Sequence, residues 1–250
     1  MPIIVGTSGW QYRDWRGTFY PRPLPGGDLL GHYSRHFATV ENNSTFYRLP
    51  KPSVFADWAQ RTPADFRMAV KASRYLTHLR RLREPAEAVA RLLAAVTSLG
   101  DRLGPILLQL PPDFRADPER LEDCLIQFRR LGPVDLRIAV EPRHESWWTK
   151  EVCEVLVDYD AALVWADRRE RPAGPLWRTC DWGYLRLHEG AGPQWPRYRT
   201  DSLHAWLDRI DDDIPDWYVY FNNDQHTAAV HDADVFAALA RDLGHTVSQP

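Results

Sequence analysis

The sequence predicts an α/β fold: a single (β/α)8 barrel of the TIM type, one domain over residues 1–250, with long loops after strands 1 and 6. Three observations carry this. The chain has 250 residues, the usual size of such a barrel. Eight short β-prone runs are spread along it, with helix-like segments after most of them. Polar side chains recur at the C-terminal end of those runs, the edge where β/α proteins bind ligands. An open doubly wound sheet is the competing arrangement, because strand order is not visible in sequence.

The elements follow in order. Ile3, Ile4 and Val5 form a short buried strand, ended by Gly6-Thr7-Ser8-Gly9. Residues 10–27 make a long aromatic loop with Trp10, Tyr12, Trp15, Phe19 and Tyr20, closed by Pro21, Pro23 and Pro25. A loop that long is read as a lid or pocket wall. Asp28 caps a helix to about residue 36. Strand two, residues 39–41, runs into Glu41-Asn42-Asn43-Ser44-Thr45-Phe46-Tyr47-Arg48, and a short helix follows over 53–60. Strand three covers 66–70 with Lys71 at its end. Residues 74–83 carry four arginines and His78, read as a solvated helical face or an anion-binding rim. Residues 84–99 are an amphipathic helix with Val89, Leu92, Leu93 and Val96 on one stripe. The apolar run 105–110, between Gly104 and Pro111, suits a strand buried on both faces.

Residues 118–130 are the next helix, and strand five over 136–140 ends in Glu141-Pro142-Arg143-His144. A helix over 147–159 leads to strand six over 161–165, which ends near Asp167. Residues 168–181 lack helical periodicity and form the second long loop. Strand seven over 184–187 ends in His188 and Glu189. A helix covers 201–209. Strand eight over 217–221 ends in Asn222, Asn223 and Asp224, and a helix over 232–243 closes the chain.

Composition narrows the class. Hydrophobic residues at 44% and charged residues at 26% are ordinary for a globular protein. A formal net charge of −3 gives no global positive field toward nucleic acid or anionic lipid. Cys124, Cys153 and Cys180 are too far apart for a CxxC pair or a zinc knuckle, and their odd number argues against a disulfide framework. Cys124 and Cys153 fall in amphipathic runs and read as core thiols. The start has no signal-peptide pattern, and no apolar run approaches the roughly 20 residues of a membrane helix. The expected location is therefore the cytoplasm, with no membrane partner. The sequence does not fix the oligomeric state.

The motifs at the strand ends resemble those of the domain of unknown function 72 (YecE-like) family. The matching stretches are Gly6-Thr7-Ser8-Gly9-Trp10, the Glu41–Tyr47 run, Lys71 with Thr77-His78, and Gln109-Leu110-Pro111-Pro112. Glu141-Pro142-Arg143-His144, Leu185-Arg186-Leu187-His188 and Tyr220-Phe221-Asn222-Asn223-Asp224 complete the set. They cover almost the whole chain in order. The resemblance implies a TIM-type barrel and no established activity. The chain departs from the family pattern at Asn42, commonly apolar, and at Glu189, commonly glycine.

In a barrel these polar ends converge at one mouth. Glu41 and Glu141 are expected to divide general acid and base work, with Lys71 and His188 completing the catalytic set. Arg143 and Arg186, with Lys71, suit a phosphate or carboxylate. Trp10, Asn43, Tyr47, Gln109, Asn222, Asn223 and Asp224 are expected to line the substrate site. The bland reading pairs Arg143 with Glu141 and Lys71 with Glu41 as simple neutralising contacts. No cofactor is predicted; GxGxxG, Walker and GxSxG motifs are absent. A divalent metal on Glu41, Glu141, His188 and Asp224 is the alternative, opposed by the nearby cations.

The expected function is an enzyme, a hydrolase or isomerase, acting on a small anionic or sugar-like substrate, phosphorylated ones included. The competing classes are a nucleic-acid-binding or phosphodiester-processing protein that uses the arginines of residues 74–83, and a non-catalytic ligand-binding protein.

Overall fold

The computed structural model describes residues 2–192, 196–210 and 214–248. The chain is an α/β protein built on a curled, mostly parallel sheet. In chain order the strands are β1 (Pro2–Ser8), β2 (Thr39–Asn42), β3 (Arg67–Lys71), β4 (Leu103–Gln109), β5 (Ile138–Glu141) and β6 (Ala161–Leu163). Then come β7 (Trp165–Arg168), β8 (Arg171–Pro172), β9 (Trp182–Leu187), β10 (Asp216–Phe221) and β11 (Thr246–Ser248). The path runs β6-β5-β4-β3-β2-β1-β10-β9-β7-β8, and β11 adds to β1. Every pair is parallel except β7 with β8.

The expected strand six over 161–165 is two strands. β6 pairs with β5 and β7 pairs with β9, with Val164 alone between them. The Val164 N–H donates to the Val140 carbonyl at 2.9 Å. The loop expected after it begins with the β7–β8 hairpin.

Helices cover the outer face: α1 (Leu29–Tyr33), α2 (Ser44–Tyr47), α3 (Pro52–Gln60), α4 (Ala86–Val96), α5 (Pro118–Leu131), α6 (Lys150–Asp158), α7 (Thr200–Leu207) and α8 (Ala228–Asp242). Their ends follow local chemistry. Asp117 caps α5 by accepting the Arg120 N–H, Pro118 opens the helix, and Arg129 and Arg130 sit in its last turn against the dipole. Thr149 caps α6 through the Val152 N–H. The 28–36 helix shrinks to a 3-10 turn and the five residues of α1.

Residues 74–83 are not the helical face that their charge implies. A π turn over Tyr75–Leu79 is followed by left-handed backbone at Arg81 and Leu82, φ 48° and 62°. The reversal buries Leu82 completely. Burial of one leucine overrides helix continuation here. The loop 10–27 is likewise no open lid. Trp15 and Tyr20 have no exposed surface, and the Tyr20 hydroxyl donates to the Trp10 carbonyl at 2.6 Å.

Strand periodicity positions the site. Side chains alternate between an outer apolar layer under the helices and an inner one inside the curl. The inner layer contains Ala69, Leu107, Ala139, Tyr184, Tyr218 and Tyr220. Two residues further along the same strands come Lys71, Gln109, Glu141, Arg186 and Asn222. Glycine permits the tight curl at Gly6, where a Cβ would stand 2.2 Å from the Thr39 carbonyl oxygen. Among the described residues no helix is long and apolar enough to cross a membrane.

Candidate functional site

Arg186 is the centre of the polar layer. It is 1% exposed, and its guanidinium grips Glu41 side-on, Nε to Oε2 at 2.9 Å and Nη2 to Oε1 at 2.7 Å. Its Nη1 donates to Glu141 Oε2. Glu41 also accepts the Ser8 hydroxyl at 2.8 Å and the Tyr184 hydroxyl at 2.7 Å. Glu141 accepts Gln109 Nε2 at 3.0 Å and contacts His188 Nε2 at 3.1 Å through its other oxygen. One cation and two anions are thus enclosed together with their hydrogen bonds satisfied, the condition under which buried charge is tolerated.

The neutralising pairs of the alternative reading, Lys71 with Glu41 and Arg143 with Glu141, do not form, and Arg186 pairs with both glutamates instead. This changes the chemistry open to the carboxyls. Burial raises both, but Arg186 more than reverses it, with Tyr184 and Lys71 helping at Glu41 and His188 and Arg143 at Glu141. Both are held below the usual range, as fixed anions. A general acid needs a raised carboxyl, so the expected division of acid and base work between them does not match their surroundings. The same guanidinium fills the space between Glu41 and Glu141 that a shared divalent ion would take. Among the described residues no group of three His, Cys, Asp or Glu side chains is gathered to hold a metal.

His188 extends the network toward solvent. Its backbone N–H donates to Asp167 Oδ1, its Nε2 faces Glu141, and its Nδ1 lies 3.0 Å from Asn222 Nδ2. With its proton on Nε2 the ring donates to the carboxylate and accepts at Nδ1 from the amide. Asp167 is raised, chiefly by burial, and also accepts the Glu170 N–H at 3.1 Å. A cavity of about 520 Å³ opens here, lined by Glu141, Arg143, Trp148, Asp167, His188 and Glu189 among others. That volume suits a small molecule.

Lys71 and Arg143 differ from the charges beneath them. Neither has an ion pair within 4 Å among the described residues. The Lys71 ammonium lies 4.5 Å from the centroid of the Phe46 ring, and His78 meets the same ring edge-on with centroids 4.9 Å apart. Burial and then Arg186 bring Lys71 down from 10.5 to about 8, with Glu41 and Glu141 opposing and Arg143 assisting. His78 is also lowered, by burial, Lys71, Arg74 and Arg143.

The other expected residues separate by burial. Trp10 is buried, edge-on to Trp58 at 5.4 Å, and is a packing residue. Tyr47 is 81% exposed. Asn43 stands at the start of α2 with its Oδ1 buried and unpartnered among the described residues. Gln109 and Asn222 position Glu141 and His188. Asn223 turns away from the mouth to the Pro196 carbonyl at 2.6 Å and Asp232 at 2.7 Å, tying down the loop before α7. Asp224 is half-buried and raised by burial and by Asp14. Arg186, expected to meet substrate, is sealed beneath the site. In the arginine run, Arg80 pairs with Glu84 and Arg81 with Asp113, which reduces the charge available to a phosphate backbone. Ser8 and Tyr184 were missed. Tyr184 was accessible to alternation, two residues before Arg186 on the same face.

Comparisons with known proteins add family and fold. The family described as "Protein of unknown function DUF72" matches residues 4–250. UPF0759 protein YecE of Escherichia coli (strain K12) is 33% identical over 59% of this chain and 51% of its own length, so the match spans about half of that relative. UPF0759 protein YunF of Bacillus subtilis (strain 168) is 27% identical over 88% of each chain. Among solved structures, a DUF72 family protein from Thermotoga maritima superposes with a TM-score of 0.79 at 27% identity, covering 96% of this chain and 100% of that one. One from Enterococcus faecalis gives 0.80 at 18% identity, covering 96% and 95%, a likeness of fold.

Proposed function

The chain belongs to the DUF72 family of proteins of unknown function, and from that premise we propose that it is an enzyme acting on a small anionic, sugar-like substrate. We read β6 and β7 as one strand, which closes the curl into a (β/α)8 barrel with the substrate in its mouth. Lys71 and Arg143 hold the anionic group, and His188, oriented by Glu141 and Asn222, exchanges a proton with the substrate. Glu41 is the fixed counter-charge that keeps Arg186 in place.

The observation that carries this reading is the contrast of charge. Arg186 is neutralised by two carboxylates, whereas Lys71 at the end of β3 and Arg143 on the cavity wall have no ion pair among the described residues. Arg143 is exposed and solvated, but the part-buried Lys71 ammonium, kept without an ion pair among the described residues, costs stability that an anionic ligand recovers.

Thermal melts in phosphate test this. At about ten times its dissociation constant, phosphate is expected to raise the melting temperature by about 3–6 °C over chloride at matched ionic strength. The shift should shrink in Arg143→Ala and vanish in Lys71→Met. Equal melting in phosphate and chloride rules the reading out.

A further inference from the structure

The chain has three lysines against 28 arginines. Lys51 and Lys150 are exposed; Lys71 is the one drawn inside, at the end of β3. A sequence that uses arginine almost everywhere for positive charge places an amine at this position. Arginine would serve an anion at least as well, with a planar fork and a permanent charge. A guanidinium does not act as a nucleophile at neutral pH, and an amine does once it loses its proton.

The surroundings fit that difference. The amine rests against the Phe46 ring, with no ion pair to hold its proton among the described residues. Arg186 and Arg143 act on it as like charges, and Glu41 and Glu141, already committed to Arg186, oppose them only in part. His78 stands on the same ring, its Nδ1 3.0 Å from the Thr77 hydroxyl.

We propose that Lys71 is an imine-forming nucleophile whose amine condenses with the carbonyl of a small aldehyde or ketone carrying a phosphate or carboxylate, with His78 as its proton acceptor. This rests on the anionic-substrate reading above. Lys71 gives a proton to His78, and its freed electron pair forms a C–N bond to the carbonyl carbon while the C=O π pair moves to oxygen. A proton passes from nitrogen to that oxygen. The protonated His78 then supplies a second proton, and the oxygen leaves as water while the nitrogen pair forms C=N. His78 returns to its neutral form, and the iminium carries the single positive charge that the ammonium had. Arg143 keeps hold of the anionic group throughout. The lowering of both Lys71 and His78 agrees with these roles: the amine is partly free, and the imidazole is neutral, at neutral pH.

Reductive trapping tests the proposal. The whole protein is incubated near pH 7.5 with glyceraldehyde 3-phosphate or pyruvate and sodium cyanoborohydride, then digested and mapped by mass spectrometry. Lys71 should be labelled about a hundredfold faster than Lys51 or Lys150, from its larger free-amine fraction. Phosphate should suppress that labelling, and His78→Ala should slow it. Lys71→Arg should lose the adduct yet keep the phosphate-induced rise in melting temperature. If that variant fails to fold, the labelling ratio and phosphate protection in the wild type decide. Labelling of Lys51 and Lys150 as fast as Lys71, or none of Lys71 while phosphate still raises melting, overturns the imine and leaves the anion site standing. Absence of both labelling and the melting shift overturns both.

Discussion

Arg186→Met is expected to cost about 3–5 kcal/mol at pH 7 and to reverse the pH dependence of stability. In the wild type Glu41 and Glu141 are held below their ordinary value of 4.5 by Arg186. A lowered carboxyl contributes stability that is present above the unfolded value and is lost as pH falls through the folded one. The wild type should therefore weaken on acidification below about pH 4.5. In the variant the largest lowering influence is gone, and burial then outweighs what Tyr184 and Lys71 supply at Glu41 and what His188 and Arg143 supply at Glu141, so the folded carboxyls are expected to rise above the unfolded value. The folded state then binds more protons, and stability climbs as pH falls from 7 toward 5. Urea melts at pH 7, 6 and 5 give the slope. Adding Glu41→Gln and Glu141→Gln should recover much of the loss, because neutral amides need no counter-ion. A variant with the wild-type slope would mean that the three charges are not coupled.

Lys71→Met is expected to stabilise the protein by about 1–2 kcal/mol at pH 7 while abolishing phosphate binding. Burial and Arg186 lower the Lys71 amine from 10.5 to about 8. Between those values the unfolded chain keeps a proton that the folded chain has released, so stability rises with pH across that window. Below pH 8 the charged amine carries the full cost. The gain is set below the full size of the shift because solvent reaches part of the side chain, and because the contact with Phe46 is lost. Melts at pH 7 and pH 10.5 check the sign: variant and wild type should differ at the first and converge at the second. A destabilised variant at pH 7 would make Lys71 a structural residue.

Much of the site was legible because strand alternation is strict. Once β3, β5 and β9 were recognised, Lys71, Glu141 and Arg186 had to share the inner face with the residues two positions before them. What alternation does not fix is reach. It placed Arg186 at the mouth with Lys71 and Arg143, but Arg186 sits sealed beneath them because both carboxylates lie within reach of its fork. It grouped Asn222 with Asn223, yet successive residues point to opposite sides, and Asn223 went to Asp232. The arginine run was misread for a different reason. Its charge pattern looks helical, whereas the chain reverses to bury Leu82, a tertiary demand with no local signature. The break at Val164 between β6 and β7 is likewise set by sheet pairing across the curl.

The mouth, and not another basic cavity, is expected to take the anion. A competitor exists at the opposite edge of the sheet, a cavity of about 530 Å³ lined by Arg67, Arg137 and Tyr218. Arg137 there is already paired with Asp216 at 2.7 Å. A crystal soaked in tungstate locates the anion directly by its anomalous signal. One tungstate is expected within hydrogen-bonding reach of both Lys71 Nζ and the Arg143 guanidinium. Tungstate bound beside Arg67 and Arg137 with none in the mouth would contradict it.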